Sequence, residues 1–139
     1  MSIMNTVEQI KRHEGFRRYP YYCSAGKLTV GYGRNLDDVG LDEDEAEHLL
    51  SVDIENALIG VKRRIDTDFC NEARVAVLTN MGFNLGIQGL MKFKKMIAHV
   101  EKGDFENAAL EMLNSRWASQ VPNRANELAQ QMLTGDWQE

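Results

Sequence analysis

The chain has little of what marks several large functional classes. Its 139 residues include two cysteines, two prolines, two tryptophans and three histidines. Cys23 and Cys70 lie far apart and form neither a disulfide framework nor a CxxC metal or redox spacing, so both read as free thiols of a reducing compartment. His13, His48 and His99 are scattered without zinc-ligand spacing, and none sits in a local signature that would pair it with Cys23 in a cysteine hydrolase. No metal and no cofactor is therefore expected. No window approaches about eighteen apolar residues, and the start "MSIMNTVEQIKRHEG" lacks a basic segment followed by an apolar run. Neither a membrane span nor a signal peptide is expected, which places the product in the cytoplasm. Repeats, low-complexity tracts and linkers are also missing, so residues 1–139 read as one domain.

What remains is 43% apolar, enough for a real core, with a net charge of −5 that argues against a nucleic-acid partner. The acids are clustered. Nine of the 21 (Asp37, Asp38, Asp42, Glu43, Asp44, Glu45, Glu47, Asp53, Glu55) occur without an intervening Lys or Arg, as suits the solvated start of a helix.

Periodicity divides the chain. Ile3, Val7 and Ile10 fall at helical spacing, which predicts a helix over 2–14 with Ser2 as its N-cap. From Tyr19 to Tyr32 aromatic and β-branched residues flank "SAGK", a small hairpin with Gly26 in its turn, and Gly31 and Gly33 permit close approach to its second strand. Asp42 and Glu45 form a capping-box pattern. Ala46, Leu49, Leu50, Ile54, Ala57, Leu58, Val61 and Ile65 then make one stripe of a helix over 42–65. "EARVAVLTNMGFNLG" is apolar on most sides and predicts a buried helix stopped near Gly86, followed by helices over 90–100, 105–114 and 123–133. The fold class is α+β and predominantly α-helical. A hairpin lobe over about 15–40 joins, through the 42–65 helix, a helical lobe over 66–139 that also takes the N-terminal helix.

The chemistry-bearing residues are concentrated in "HEGFRRYPYYCSAGKLTVGYGR". Glu14 continues the Val7–Ile10 face at the end of the first helix and so points toward apolar packing, an environment suited to a general acid. Thr29, mid-strand, has a hydroxyl able to hold a water. Cys23 reads as a small buried hydrophobe unless Arg17 or Arg18 lies close enough to lower its pKa. Tyr19, Tyr21, Tyr22, Tyr32 and Trp117 have faces that stack on sugars, although ordinary packing accounts for each; Trp117 and Trp137 read as structural.

That stretch resembles the catalytic segment of the phage-type lysozymes, glycoside hydrolase family 24. The family pattern is a glutamate, eight residues, an aspartate or sometimes a cysteine, five residues and a threonine; here it falls on Glu14, Cys23 and Thr29. The likeness continues through "NMGFNLG", "SRWASQVPNRA" and "TGDW", four blocks in order. The resemblance implies a two-lobed lysozyme fold and hydrolysis of the β-1,4 bond between N-acetylmuramic acid and N-acetylglucosamine. It makes Glu14 the general acid, Thr29 the water-positioning hydroxyl, Arg124 the arginine that pairs with the acid, and Asn84 a cleft-lining amide. Arg34 stands where the best-known member has a histidine paired with an aspartate. Asp53 matches that aspartate, which implies an Arg34–Asp53 pair. With Tyr32, Arg34 and Asn84 form the expected substrate contacts.

The resemblance further implies an endolysin that acts as a monomer on peptidoglycan. It would be held in the host cytoplasm until a holin opens the membrane, with no nucleic-acid or membrane partner. Cys23 in the place of a second carboxylate leaves two options, an active thiolate or a thiol that only shapes the site. The competing expectation is a weakly active or non-catalytic wall-binding module that keeps the fold.

Overall fold

The computed structural model describes residues 3–139, so the expected cap at Ser2 lies outside the described residues. The backbone divides into two compact units, Met1–His48 and Leu49–Glu139. The first helix thus groups with the hairpin, whereas the sequence assigned it to the helical lobe.

In the first unit, α1 (Ile3–Glu14) has no buried residue, and its last turn is basic, with Lys11, Arg12 and His13 complementing the negative end of the helix dipole. Gly15 stops it, its N–H bonding the Lys11 carbonyl at 2.9 Å. Three antiparallel strands follow in the order β1-β2-β3: β1 (Arg17–Tyr22), β2 (Leu28–Gly31) and the short β3 (Arg34–Asn35), which the sequence did not announce. Pro20 sits on edge strand β1, in the register shift between Arg17 and Tyr21, where a missing N–H breaks no ladder bond. The first hairpin closes through the Cys23 N–H on the Lys27 carbonyl and the Gly26 N–H on the Cys23 carbonyl. Gly26, with φ at +76°, occupies the turn as expected. Two of the clustered acids tie this sheet instead of facing solvent unpartnered. Asp37 accepts the Leu28 N–H at 2.7 Å, and Asp38 binds Lys27 and Asn35.

Helix α2 (Glu43–Arg64) begins with the expected capping box: the Asp42 carboxylate accepts the Glu45 N–H at 2.8 Å, and the Glu45 carboxylate accepts the Asp42 N–H at 3.0 Å. Of the expected stripe only Ala57, Val61 and Ile65 are buried. Ala46, Leu49, Leu50, Ile54 and Leu58 are exposed, because α2 enters the core only along its C-terminal turns.

The second unit is helical. Helix α3 (Glu72–Met91) is capped by Asn71 and breaks at Gly86, whose φ of +76° is outside the helical range. The chain resumes a helical path beyond that break, then turns at Phe93 into α4 (Lys94–Glu101), which divides the segment expected over 90–100. Then come α5 (Phe105–Leu113), α6 (Arg116–Gln120), which the sequence reading missed, and α7 (Pro122–Thr134). Leu78, Met81, Leu90, Met96, Met112 and Met132 are fully buried. Each contributes about 2 kcal/mol through burial. Arg74 ties α3 to the end of α7, donating from Nε to the Met132 carbonyl at 2.8 Å and from its terminal nitrogen to the Leu133 carbonyl at 2.9 Å.

Candidate active site

Glu14 is the last residue of α1 and is exposed, so it is not turned into apolar packing as its helical phase had suggested. Among the described residues of α1 none is fully buried, so its apolar phase does not mark a core-facing stripe. What Glu14 does meet is the tight β2–β3 turn. A Cβ added at Gly33, where φ is +79°, would lie 2.8 Å from Glu14 Oε2 and 2.9 Å from its Cδ. Only glycine satisfies both that backbone angle and that proximity. The neighbouring Tyr32 packs its ring against Phe16 at 5.6 Å between centroids and under the Lys11 ammonium at 5.3 Å. The acid thus ends a helix and lies against the glycine of the β2–β3 turn.

Cys23 and Thr29 come together in the β1–β2 hairpin of the same sheet. Thr29 pairs with Tyr21 across the sheet, is 3% exposed, and donates its hydroxyl to the Lys27 carbonyl at 2.9 Å. The Cys23 thiol is held below the ordinary thiol range, first by the backbone amides of Lys27 and Ala25, with a smaller contribution from the Thr29 hydroxyl; partial desolvation works in the opposite direction. Cys70, by contrast, is pushed up by burial. Both cysteines are free. Arg17 and Arg18, which could lower the Cys23 pKa only if close to it, stack on Tyr21 and Tyr19.

Arg34 opens β3. Its guanidinium pairs with Glu45 and donates to the Gly40 carbonyl at 3.4 Å. The implied partner was Asp53, and the correction has a simple cause. Glu45 lies in the first turn of α2, directly after the short loop from β3, whereas Asp53 is about 12 Å farther along the helix axis and exposed. Glu45 therefore carries two bonds, one from each carboxylate oxygen. The capping-box spacing pointed to the first, and nothing in the sequence pointed to the second.

The remaining expected residues belong to the second unit. Asn84 accepts the Trp117 indole N–H at 2.7 Å, which orients its amide, while the buried Trp117 ring meets Phe93 edge-on at 6.0 Å between centroids. Arg124, half-buried in α7, lines a cavity of about 850 Å³ built wholly from this unit, with Leu50, Ile54, Leu58 and Phe83 on its walls. Trp137 also lines it and is 62% exposed, so it is not the packed structural residue expected. Among the described residues no cluster of three His, Cys, Asp or Glu could hold a metal, and no helix is long and apolar enough to cross a membrane.

The family comparison decides the assignment: the profile described as "Phage lysozyme" matches residues 11–133. The chain belongs to the phage lysozyme family. Among its relatives is the pre-baseplate central spike protein Gp5 of Enterobacteria phage T4, 25% identical over 162 aligned positions that cover 96% of this chain and 28% of the spike protein. Probable T4-type lysozyme 1 of Dictyostelium discoideum is 26% identical, covering 96% of both chains. An endolysin of Acyrthosiphon pisum secondary endosymbiont phage 1 is 28% identical across 82% of this chain and 77% of its own. The chain spans about a quarter of the spike protein and about half of a second Dictyostelium lysozyme, probable T4-type lysozyme 2, to which it is 29% identical. The phage lysozyme match includes all of Glu14, Cys23, Thr29, Arg34, Asn84 and Arg124.

Proposed function

We propose that this chain is a lysozyme-type peptidoglycan hydrolase, a muramidase that cleaves the β-1,4 bond between N-acetylmuramic acid and N-acetylglucosamine. The observation that carries the reading is the exposed carboxyl of Glu14 at the end of α1, against the Gly33 turn and in one compact unit with the Cys23–Thr29 pair. Membership of the phage lysozyme family supports it.

Glycoside hydrolysis needs an acid at the leaving oxygen and a group on the opposite face of the sugar that activates water or attacks. Glu14 supplies the proton. Cys23 stands where a second carboxylate is usual, and its lowered thiol pKa favours a thiolate that accepts a proton from water or adds to the anomeric carbon. Tyr32, Arg34 and Asn84 contact the glycan, with the amide of Asn84 aimed by Trp117. Arg124 is proposed as a supporting residue of the site. In the cell the enzyme acts as a monomeric endolysin, reaching the wall from the host cytoplasm through a holin lesion; the phage relative named endolysin supports this role.

Purified walls should release reducing ends when treated with the protein, and Glu14→Gln should reduce the rate by about 10²–10⁴-fold. Full activity in that variant would sink the assignment. The substitution of a thiol for a carboxylate is the one feature that favours a wall-binding module instead. Binding to walls without reducing-end release would establish that second reading.

A further inference from the structure

The hairpin that carries Cys23 and Thr29 is anchored from a loop outside it. Lys27 and Leu28 share one peptide unit, and both ends of that unit are engaged. Its carbonyl, on Lys27, accepts the Cys23 N–H at 2.9 Å and the Thr29 hydroxyl at 2.9 Å. Its amide, on Leu28, donates to the Asp37 carboxylate at 2.7 Å. Strand β3 is only two residues long and pairs with β2 through Asn35 on Thr29 and Arg34 on Val30. Past its end the Leu36 N–H still reaches the Leu28 carbonyl at 2.8 Å, and the Asp37 side chain then supplies the next acceptor in place of a backbone carbonyl.

A peptide unit is planar, so its carbonyl and its amide cannot turn independently. Whatever holds the Leu28 N–H therefore also fixes the direction of the Lys27 carbonyl. The two bonds to that carbonyl use both of its lone pairs, and they come from Cys23 and Thr29. An amide bond to a carboxylate is charge-assisted, and it polarises the unit so that the carbonyl at the far end becomes a better acceptor. The neighbouring Asp38 has different partners. It binds the Lys27 ammonium at 3.2 Å and the Asn35 amide at 3.1 Å, contacts made by side chains and not by the Lys27–Leu28 peptide.

We propose that Asp37 is a positioning residue for the Cys23–Thr29 pair, acting through the Lys27–Leu28 peptide. The proposal rests on the muramidase reading and deepens it, because it adds a residue that serves the reaction only through others. Asp37 holds the Lys27 carbonyl toward the Cys23 N–H, which keeps the turn closed and the Lys27 and Ala25 amides at the sulfur. The same carbonyl holds the Thr29 proton and so fixes the direction of the hydroxyl lone pairs. A purely electrostatic action of Asp37 has the opposite sign. A carboxylate that acts on the thiol through space disfavours the thiolate, so its removal would lower the thiol pKa, whereas loss of positioning raises it.

The test uses the whole chain with Asp37→Ala, Asp37→Asn and Asp38→Ala. Asp37→Ala should lower kcat for reducing-end release from soluble glycan oligomers about three- to tenfold with KM within about twofold, since slight misalignment acts on the reacting groups more than on binding. The half-maximal pH for iodoacetamide alkylation of Cys23 should move up by about half a pH unit. Asp37→Asn keeps an oxygen acceptor and should recover most of both effects, while Asp38→Ala should match wild type in both. An unchanged or lowered alkylation midpoint in Asp37→Ala, wild-type kcat in that variant, no recovery in Asp37→Asn, or equal losses in Asp38→Ala overturns the proposal. If wild type releases no reducing ends, the muramidase reading fails, and an upward alkylation midpoint in Asp37→Ala still upholds the positioning of the thiol. Amide hydrogen exchange at Leu28, followed by NMR on wild type and Asp37→Asn, keeps the test decisive where Asp37→Ala does not fold. Slow exchange in both supports the proposal, and exchange in wild type as fast as that of a free turn amide overturns it.

Discussion

Replacing Gly33 with alanine tests whether the β2–β3 turn sets the position of Glu14. Two effects combine at this residue. The backbone φ of +79° strains any residue with a Cβ by about 1–2 kcal/mol, enough to lower Tm by roughly 3–8 °C in a chain of this size. The new methyl would also sit 2.8 Å from Glu14 Oε2 and 3.2 Å from its Cγ, against an ordinary contact near 3.5 Å, so the carboxylate must move by about half an ångström or more. Glu14 is exposed and swings away at little cost in stability. Its catalytic alignment does not survive so easily: a displacement of that size should lower kcat about tenfold, given that misplacement by ~1 Å costs up to about a hundredfold. Gly31→Ala is the control. Its φ of +69° imposes the same strain, yet an added Cβ there meets nothing within 4 Å. The two variants should therefore melt alike and differ in kcat on purified walls. Equal kcat for both, or wild-type kcat in Gly33→Ala, would refute the idea that this turn positions the acid.

Alkylation of Cys23 by iodoacetamide should show a half-maximal pH below the ordinary thiol value of about 8.5, because the Lys27 and Ala25 amides favour the thiolate. A depressed folded-state pKa means that the group stabilises the fold above its unfolded pKa and that this contribution disappears as pH falls through the folded value. The melting advantage over Cys23→Ser should accordingly grow as pH rises from the folded value to about 8.5, hold constant above it, and fade on acidification. If the thiolate works in the second half of the reaction, Cys23→Ala should be slow on walls while Cys23→Asp recovers activity; a wild-type rate in Cys23→Ala would assign the thiol a spectator role. Arg74→Ala should destabilise by roughly 2–4 kcal/mol in urea unfolding, through two lost bonds to the end of α7 and the stack on Phe105 at 3.8 Å. A loss under about 0.5 kcal/mol would show that α7 is held by its packing alone.

Local patterns were legible, and their tertiary consequences were not. The capping box at Asp42 and Glu45, the Gly26 turn and the helix break at Gly86 each depend on a few neighbouring residues, and each appears where the spacing placed it. Helix α6 was missed because five residues carry too few turns for a periodic signal, and its cap, Ser115 on the Ala118 N–H, resembles any serine in a loop. The stripe of α2 misled for a different reason. Apolar spacing tells which face of a helix is greasy, but not how far along its length a core extends. Burial here stops at Ala57 while the pattern runs on to Ala46. Arg74 escaped notice altogether, since a single arginine in an apolar helix gives no sign that it reaches carbonyls nearly sixty residues away.

The site shows the same division at the level of single atoms. Arg17 and Arg18 are close to Cys23 in sequence, so a lowered thiol pKa pointed to them only on the condition that the geometry brought them near. In the structure both guanidinia are occupied by tyrosine rings, and it is the closing of the hairpin that brings the Lys27 and Ala25 amides to the sulfur. The Thr29 hydroxyl has one proton and two acceptors within reach, the Lys27 carbonyl and the thiolate, and its bond to the carbonyl leaves only its lone pairs for a water. The lowered thiol pKa and the orientation of the Thr29 hydroxyl are consequently coupled through the Lys27 backbone, which needs no particular side chain for either. Substitutions of the Lys27 side chain should then disturb the Asp38 pair and little else, whereas any change that opens the 23–27 turn should both raise the Cys23 pKa and free the Thr29 hydroxyl.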